Sequence, residues 1–405
     1  MTRGRLSRGR VALAVGFFVQ GAVFALLVTR IPAVQDRYGI SDGLLPAFLA
    51  AVPVVAGVGS VGAEHLVKRV RPSAVLRWSQ VAAMLALVGV SAGDGFVQLA
   101  FALAAFGLAV GMLDAAMNML GVSLQRAYGR SIMLSFHAAY SLGGIVGASL
   151  AWVGAHWDLR LLVLYGPVVV VLLPLSLVAS RWYVDSERGA GESAVSAGAP
   201  ESGSGGGAFS GKLLLPLCLV MAFAYIGDST VSNWSAKYLQ DVLGSSEQLA
   251  TVPYNVYMVT TLLGRTVGDV GVRRFGAAAV VRAGTVAAAL GFGVVAVAPG
   301  AWGGIAGFTL LGFGLCVIVP QTFAAAGRLF PDASDTAIAR LNIFNYVGFL
   351  VGSPLVGAVG DAWSYRGAML VPMVLVLVTL FYASTFNGKG RYGGGHERPR
   401  AVDVG

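Results

Sequence analysis

Apolar runs of about 20 residues recur along the whole chain, and nothing else in the sequence constrains the fold as much. They begin near Val11, Leu44, Ala74, Phe96, Ile132, Leu161, Leu213, Gln248, Ala277, Trp302, Thr336 and Met369. A helix needs about 20 predominantly apolar residues to cross ~30 Å of hydrocarbon. Backbone N–H and C=O groups left unpaired cannot face lipid, so each run is expected to be a helix. Composition agrees: 56% of the 405 residues are hydrophobic and 12% charged, against roughly 25% charged in soluble domains. The expected fold class is an all-α membrane protein with twelve transmembrane helices. An even number of crossings puts both termini on one side.

The basic residues orient the chain. Of 28 Lys and Arg, all but Arg30, Arg37, Arg160, Lys237 and Arg366 fall in segments on the side of the termini. The positive-inside rule therefore predicts a multi-pass protein of the cytoplasmic membrane with both termini cytoplasmic. The net charge of +9 is read as this topology signal, with some attraction to anionic lipid, and not as nucleic-acid binding. The first run follows basic residues as a signal peptide would. It is too long and lacks a small-residue cleavage site, so it is read as the first span. Cys218 and Cys316 lie inside runs and indicate neither a disulfide framework nor a metal site. GGAFSGKL, 206–213, nearly spells a phosphate-binding loop. It lacks the hydroxyl residue after Lys212 and enters a span, so nucleotide hydrolysis is rejected. No catalytic constellation, cofactor or metal is expected, and the chain is not read as an enzyme.

The polar, Gly/Ser-rich stretch within 182–211 is expected to be a flexible cytoplasmic linker. It divides a six-helix bundle at 1–181 from a second at 212–385, with a cytoplasmic tail at 386–405. The halves match without gaps at an offset of 205 residues. QDRYG at 35–39 lies over QDVLG at 240–244. Gly59 and Glu64 lie over Gly264 and Asp269, and Lys68-Arg69 over Arg273-Arg274. Gly107 lies over Gly312, Gly143 and Gly147 over Gly348 and Gly352, and His137 over Asn342. A constant offset across a half implies a duplicated bundle with parallel halves.

Gly59…Glu64…Lys68-Arg69 and Gly264…Asp269…Arg273-Arg274 resemble the signature that major facilitator carriers bear in the loops after spans 2 and 8. LDAAMN (113–118), FHAAYSLGGIVGA (136–148) and NWSAKYLQDVLG (233–244) resemble, more narrowly, the fucose-permease-like and rhizopine-permease-like branch. The resemblance implies two pseudo-symmetric six-helix bundles, the major facilitator fold, and transport by alternating access. It also implies that Glu64, Lys68, Arg69, Arg265, Asp269 and Arg273 form charge clusters that latch the cytoplasmic side closed. Some carriers of this branch use an acid in span 1 as well as in span 4; here span 1 offers only Gln20.

Asp114 is the sharpest single signal, because a charge at mid-bilayer costs at least ~2.5–3.5 kcal/mol and marks function by default. Asn118 follows one turn later, and His137 lies in the cytoplasmic half of span 5. Proton coupling is therefore assigned to Asp114, His137 and the second intramembrane acid, Asp228. Gln20, Asn118, Tyr140, Asn233, Asn342, Asn345 and Tyr346 are the candidates for substrate contact. Together these residues suit a sugar- or polyol-like solute moved with protons by a monomer in lipid. The rival is a proton antiporter exporting drugs or amphipathic natural products. A sensor without transport activity is the further alternative.

Overall fold

The computed structural model describes residues 3–41, 44–185 and 211–387. Most of the expected linker and tail, including the phosphate-loop look-alike up to Ser210, lies outside the described residues. Among the described residues, twelve long helices make up the fold. They are α1 (Arg3–Thr29), α2 (Leu45–Leu66), α3 (Pro72–Ala92), α4 (Phe96–Tyr128), α5 (Met133–His156) and α6 (Leu161–Ala179) in the first half. The second half has α7 (Gly211–Lys237), α8 (Val252–Phe275), α9 (Ala277–Val297), α10 (Ala301–Leu315, resuming as Ile318–Leu329), α11 (Ser334–Ala362) and α12 (Leu370–Tyr382). Among the described residues, ten helical stretches are long and apolar enough to cross a membrane on length and composition alone. The other two long helices, α2 and α8, bring Glu64 and Asp269 into the interior. Charges survive in such helices when they face the bundle interior and find partners.

The repeat in sequence is a repeat in packing. α1 lies against α5, α2 against α4 and α3 against α6; α7 against α11, α8 against α10 and α9 against α12 copy these contacts. Between the halves, α2 meets α11 and α8 meets α5, the same pair of contacts related by the duplication. Small residues permit the tightest crossings. A Cβ on Gly143 would collide with the Phe18 carbonyl, and one on Gly147 with that of Ala22; in the second half Gly348 abuts the Ala222 carbonyl. Such close approach replaces the hydrophobic drive that lipid does not provide between helices.

The matched QDRYG and QDVLG segments also have a local reason. Gly39 and Gly244 both adopt the left-handed conformation, at φ 61° and 65°, which terminates a helical turn at little cost only for glycine. The outer surface is apolar, with Phe381 83% exposed and Val170 72%. Trp152, Trp157, Trp302 and Trp363 are exposed near helix ends on the side away from the termini. That placement is usual for an aromatic belt at a membrane interface.

One expectation about local structure is corrected. Gly59 and Glu64 lie within α2, and Gly264 to Arg274 within α8, not in loops. Within these stretches Glu64, Arg265, Asp269 and Arg273 bond to groups of the opposite half, whereas Arg274 is exposed.

Candidate functional site

A cavity of about 850 Å³ lies between the halves. Its walls take the second half of α1, most of α5 from His137 to Trp152, and the first part of α8, together with α4, α7 and α11. It therefore runs from mid-bundle towards the side away from the termini.

Asp114 stands at its wall, and two helices besides its own hold the carboxylate. Gln20 of α1 donates through Nε2 to Oδ1, and the Tyr346 hydroxyl of α11 donates to Oδ2. The Tyr346 bond crosses from one half to the other. Asn118 also lines the cavity, but its amide turns back to the Asp114 main-chain carbonyl at 2.9 Å. His137 does not join the carboxylate by any hydrogen bond among the described residues. Its ring lies between Phe17 and Phe323, with centroids 5.3 and 6.3 Å away, and its Nε2 is buried without a partner. The three residues thus share a cavity without forming one polar cluster.

Asp228 faces the same cavity from α7 and accepts a hydrogen bond from the Tyr257 hydroxyl of α8. Asn233, Tyr140, Asn345 and Tyr346 also line the cavity. Asn342 does not. It is fully buried, and its Nδ2 donates to Ser60 Oγ across the halves at 2.9 Å. The repeat relation to His137 places Asn342 at the corresponding height of α11, but the tighter α2–α11 contact covers it.

Arg265 was grouped by sequence with the latch charges, and the structure gives it a place in the cavity wall. Its Nη1 donates to Ser141 Oγ at 2.6 Å and to the His137 carbonyl at 3.5 Å, both across the halves. Its Nε reaches the Cys316 carbonyl at 3.5 Å. The sequence explains why that carbonyl is available. Pro320, four residues on, has no N–H to bond it, and α10 is interrupted there.

Two buried acids make contacts that close the side of the termini, where Arg126 Nη1 also donates across the halves to the Pro331 carbonyl at 3.1 Å. Glu64, 6% exposed, takes Arg340 of α11, with the Nη2 3.2 Å from Oε1. Asp269, 4% exposed, does something different. It accepts from the main-chain N–H groups of Leu134 at 3.3 Å and Ser135 at 2.8 Å, and from the hydroxyls of Ser131 and Ser135, each at 2.6 Å. It thus caps the N-terminus of α5, which has no side-chain cap of its own, from the opposite half. A carboxylate there satisfies orphan N–H groups and meets the positive end of the helix dipole. Gln125 Oε1 takes the remaining N–H groups of Ile132 and Met133. Arg273 adds a bond to the Ser131 carbonyl at 3.0 Å. Lys68 and Arg69 are exposed at this end and take no part in the two contacts.

Comparison with known proteins agrees with this geometry. A family model described as Major Facilitator Superfamily matches residues 217–394. An uncharacterised MFS-type transporter of Yersinia pestis is 29% identical over 382 residues, covering 91% of this chain and 93% of its own. Membrane protein MosC of Rhizobium meliloti is 26% identical, covering 94% and 91%. Over its second half the chain thus matches the major facilitator superfamily, and along most of its length it is similar to these transporters.

Solved structures carry the same fold. The transporter FucP in its outward conformation superposes with a TM-score of 0.74 at 16% identity, over 93% of this chain and 97% of that one. The proton:xylose symporter XylE, bound to 6-bromo-6-deoxy-D-glucose, superposes at 0.75 and 12% identity, over 95% and 96%. The chain accordingly has the multi-pass major facilitator fold, here closed on the side of its termini and hollow on the other. Sequence reasoning passed over Tyr257, Ser60, Arg340, Ser131 and Ser135. Tyr and Ser are common in spans, and only the pairing of two helices shows which of them meet a charge.

Proposed function

We propose that this carrier is a proton symporter for a small polyhydroxylated solute of the sugar or polyol type, working by alternating access as a monomer. Its place is the cytoplasmic membrane with both termini inside, so that the cavity faces outward. The observation that carries the reading is Asp114, an acid in the cavity wall bonded to both halves at once through Gln20 and Tyr346.

Protonation changes what that carboxyl can do. A carboxylate only accepts hydrogen bonds; a protonated carboxyl must donate one. Tyr346 and Gln20 both donate to it now, so an added proton breaks the match on one side. Gln20 Oε1 is buried without a partner. A turn of the Gln20 amide presents this acceptor to the new O–H. The Tyr346 bond is then the one that weakens, and it joins the halves that must rock apart. Tyr, Asn and Ser side chains around the cavity supply donors and acceptors suited to hydroxyl groups. FucP is described as a fucose:proton symporter, and XylE as a proton:xylose symporter, which supports the same class for this chain.

Export of an amphipathic compound against protons is the second reading. It is favoured by the aromatic part of the wall, Phe17, Phe24, Phe106 and Phe349 among it. The deciding measurement is pH outside lightly buffered proteoliposomes as sugars, polyols and cationic dyes are added. Alkalinisation with a sugar or polyol supports symport. Acidification with a dye, from vesicles preloaded with protons, would replace symport by export.

A further inference from the structure

Two groups of opposite charge face the cavity without touching. Asp228 on α7 and Arg265 on α8 both line it. The ion pairs within 4.0 Å among the described residues are Arg37–Asp94, Lys237–Asp241 and Arg340–Glu64, so these two are not paired. Asp228 has one side-chain partner, the Tyr257 hydroxyl on Oδ1, which leaves Oδ2 unbonded among the described residues. The Arg265 bonds run through Nε and Nη1, which leaves Nη2 likewise.

Water in an open cavity solvates both groups. A solute that fills the cavity displaces that water, and a desolvated charge without a partner is costly. A wholly neutral solute would strand both. An anion alone would strand Asp228, and a cation alone Arg265. Charge balance points the same way. Once Asp114 carries the coupled proton, Asp228 and Arg265 leave a wall of no net charge, which suits a solute of no net charge.

We infer that the solute is zwitterionic: a small polyhydroxylated molecule with an ammonium group for Asp228 and a carboxylate for Arg265. The inference rests on the carrier reading above and narrows its substrate class. Beside Asp228, Tyr225 one turn earlier on α7 and Tyr254 on α8 present aromatic rings to the cavity, surfaces that attract an ammonium group. The guanidinium of Arg265 is a planar fork matched to a carboxylate. Tyr257, which donates to Asp228, and Arg265 lie eight residues apart on α8, so the ammonium and carboxylate subsites sit at different levels of the cavity wall.

A matched set on one sugar ring tests this. Binding of glucose, glucosamine, glucuronate and 2-amino-2-deoxyglucuronate to the purified full-length carrier in detergent is measured by titration calorimetry. The amino acid sugar is expected to bind at least tenfold more tightly than any of the other three. Asp228→Asn should erase the gain from the amine and keep the gain from the carboxylate. Arg265→Gln should do the reverse, and Arg265→Lys should restore part of it. The melting temperature of each variant, taken in parallel, shows that it is folded. Glucose binding as tightly as the zwitterion would overturn the inference, as would variants that weaken all four sugars equally. So would an absence of binding by the whole set. Proton-coupled uptake of another, uncharged solute in proteoliposomes would then leave the carrier reading standing, whereas no proton-coupled movement of any solute would remove that reading too.

Discussion

At the scale of single residues, Asp114 carries the heaviest expectation. Asp114→Asn keeps the shape and can still accept and donate hydrogen bonds, but it cannot exchange a proton. It is expected to insert and fold normally and to lose proton-driven accumulation. Accumulation at the level of the unaltered carrier would refute the coupling role. Tyr346→Phe removes one hydrogen bond to a charged group, worth about 1.5–3 kcal/mol. It should slow proton-coupled uptake roughly tenfold or more and lower the thermal midpoint modestly; unaltered uptake would show that the bond between the halves is idle. Asp114 was conspicuous in the sequence because it interrupts an apolar run. Its partner Tyr346 was not conspicuous, since a tyrosine in a span is commonly an interface anchor. Only the approach of α11 to α4 makes it a donor to the carboxylate.

At the scale of helices, the contacts of the two buried acids that close the side of the termini differ in kind. Glu64 faces a guanidinium, whereas Asp269 faces the end of a helix. The duplication explains the pairing and the helix boundaries explain the difference. Arg340 corresponds to Ser135 at the 205-residue offset, but α11 begins at Ser334, a turn earlier than the matching position of α5. The helix terminus is thus carried past Glu64, and a side chain must supply the charge instead. A capping interaction is worth ~1 kcal/mol, enough to shift a balanced conformational equilibrium about fivefold. Asp269→Asn should therefore favour opening on the side of the termini. A cysteine in place of Val122, buried against Gly327 between the halves, should then be alkylated several-fold faster than in the parent with the same cysteine. Equal rates would remove the latch role. Helix crossing gives a stability test. Gly147→Val must push α5 away from the Ala22 carbonyl, and overpacking of this kind costs typically 1–3 kcal/mol. It should lower the thermal midpoint. Gly166→Ala on α6, with open space around its Cα, should not; equal midpoints for the two variants would show that the crossing tolerates a larger residue.

At the scale of the whole molecule, the halves face each other across the cavity, and residues 186–208 lie in the stretch that joins them in sequence. Long connections are thermodynamically cheap to shorten, because closure entropy varies slowly with length. Shortening 186–208 by part of its length should leave folding and uptake intact, measured by monodisperse purification and proteoliposome uptake. Complete loss of folded protein would show that this segment is more than a tether.

Apolar runs long enough for a bilayer, their even number and the constant 205-residue offset made the helical, duplicated architecture legible from sequence. Each of these is a local or periodic property, and local hydrophobicity suffices to choose helix where lipid is the solvent. Asp114, Asp228, Glu64 and Asp269 were legible for a related reason, since an acid in an apolar run is expensive wherever it ends up. Their partners were not legible. Whether Asp269 meets an arginine or a helix end, whether Asn342 faces the cavity or Ser60, and whether Arg265 guards a loop or a binding site depend on which faces of α5, α8 and α11 come together. Those faces are chosen by close approach at glycines and by the packing of one half on the other. Contacts made over separations of more than a hundred residues leave no period in the sequence, so only the tertiary structure decided them.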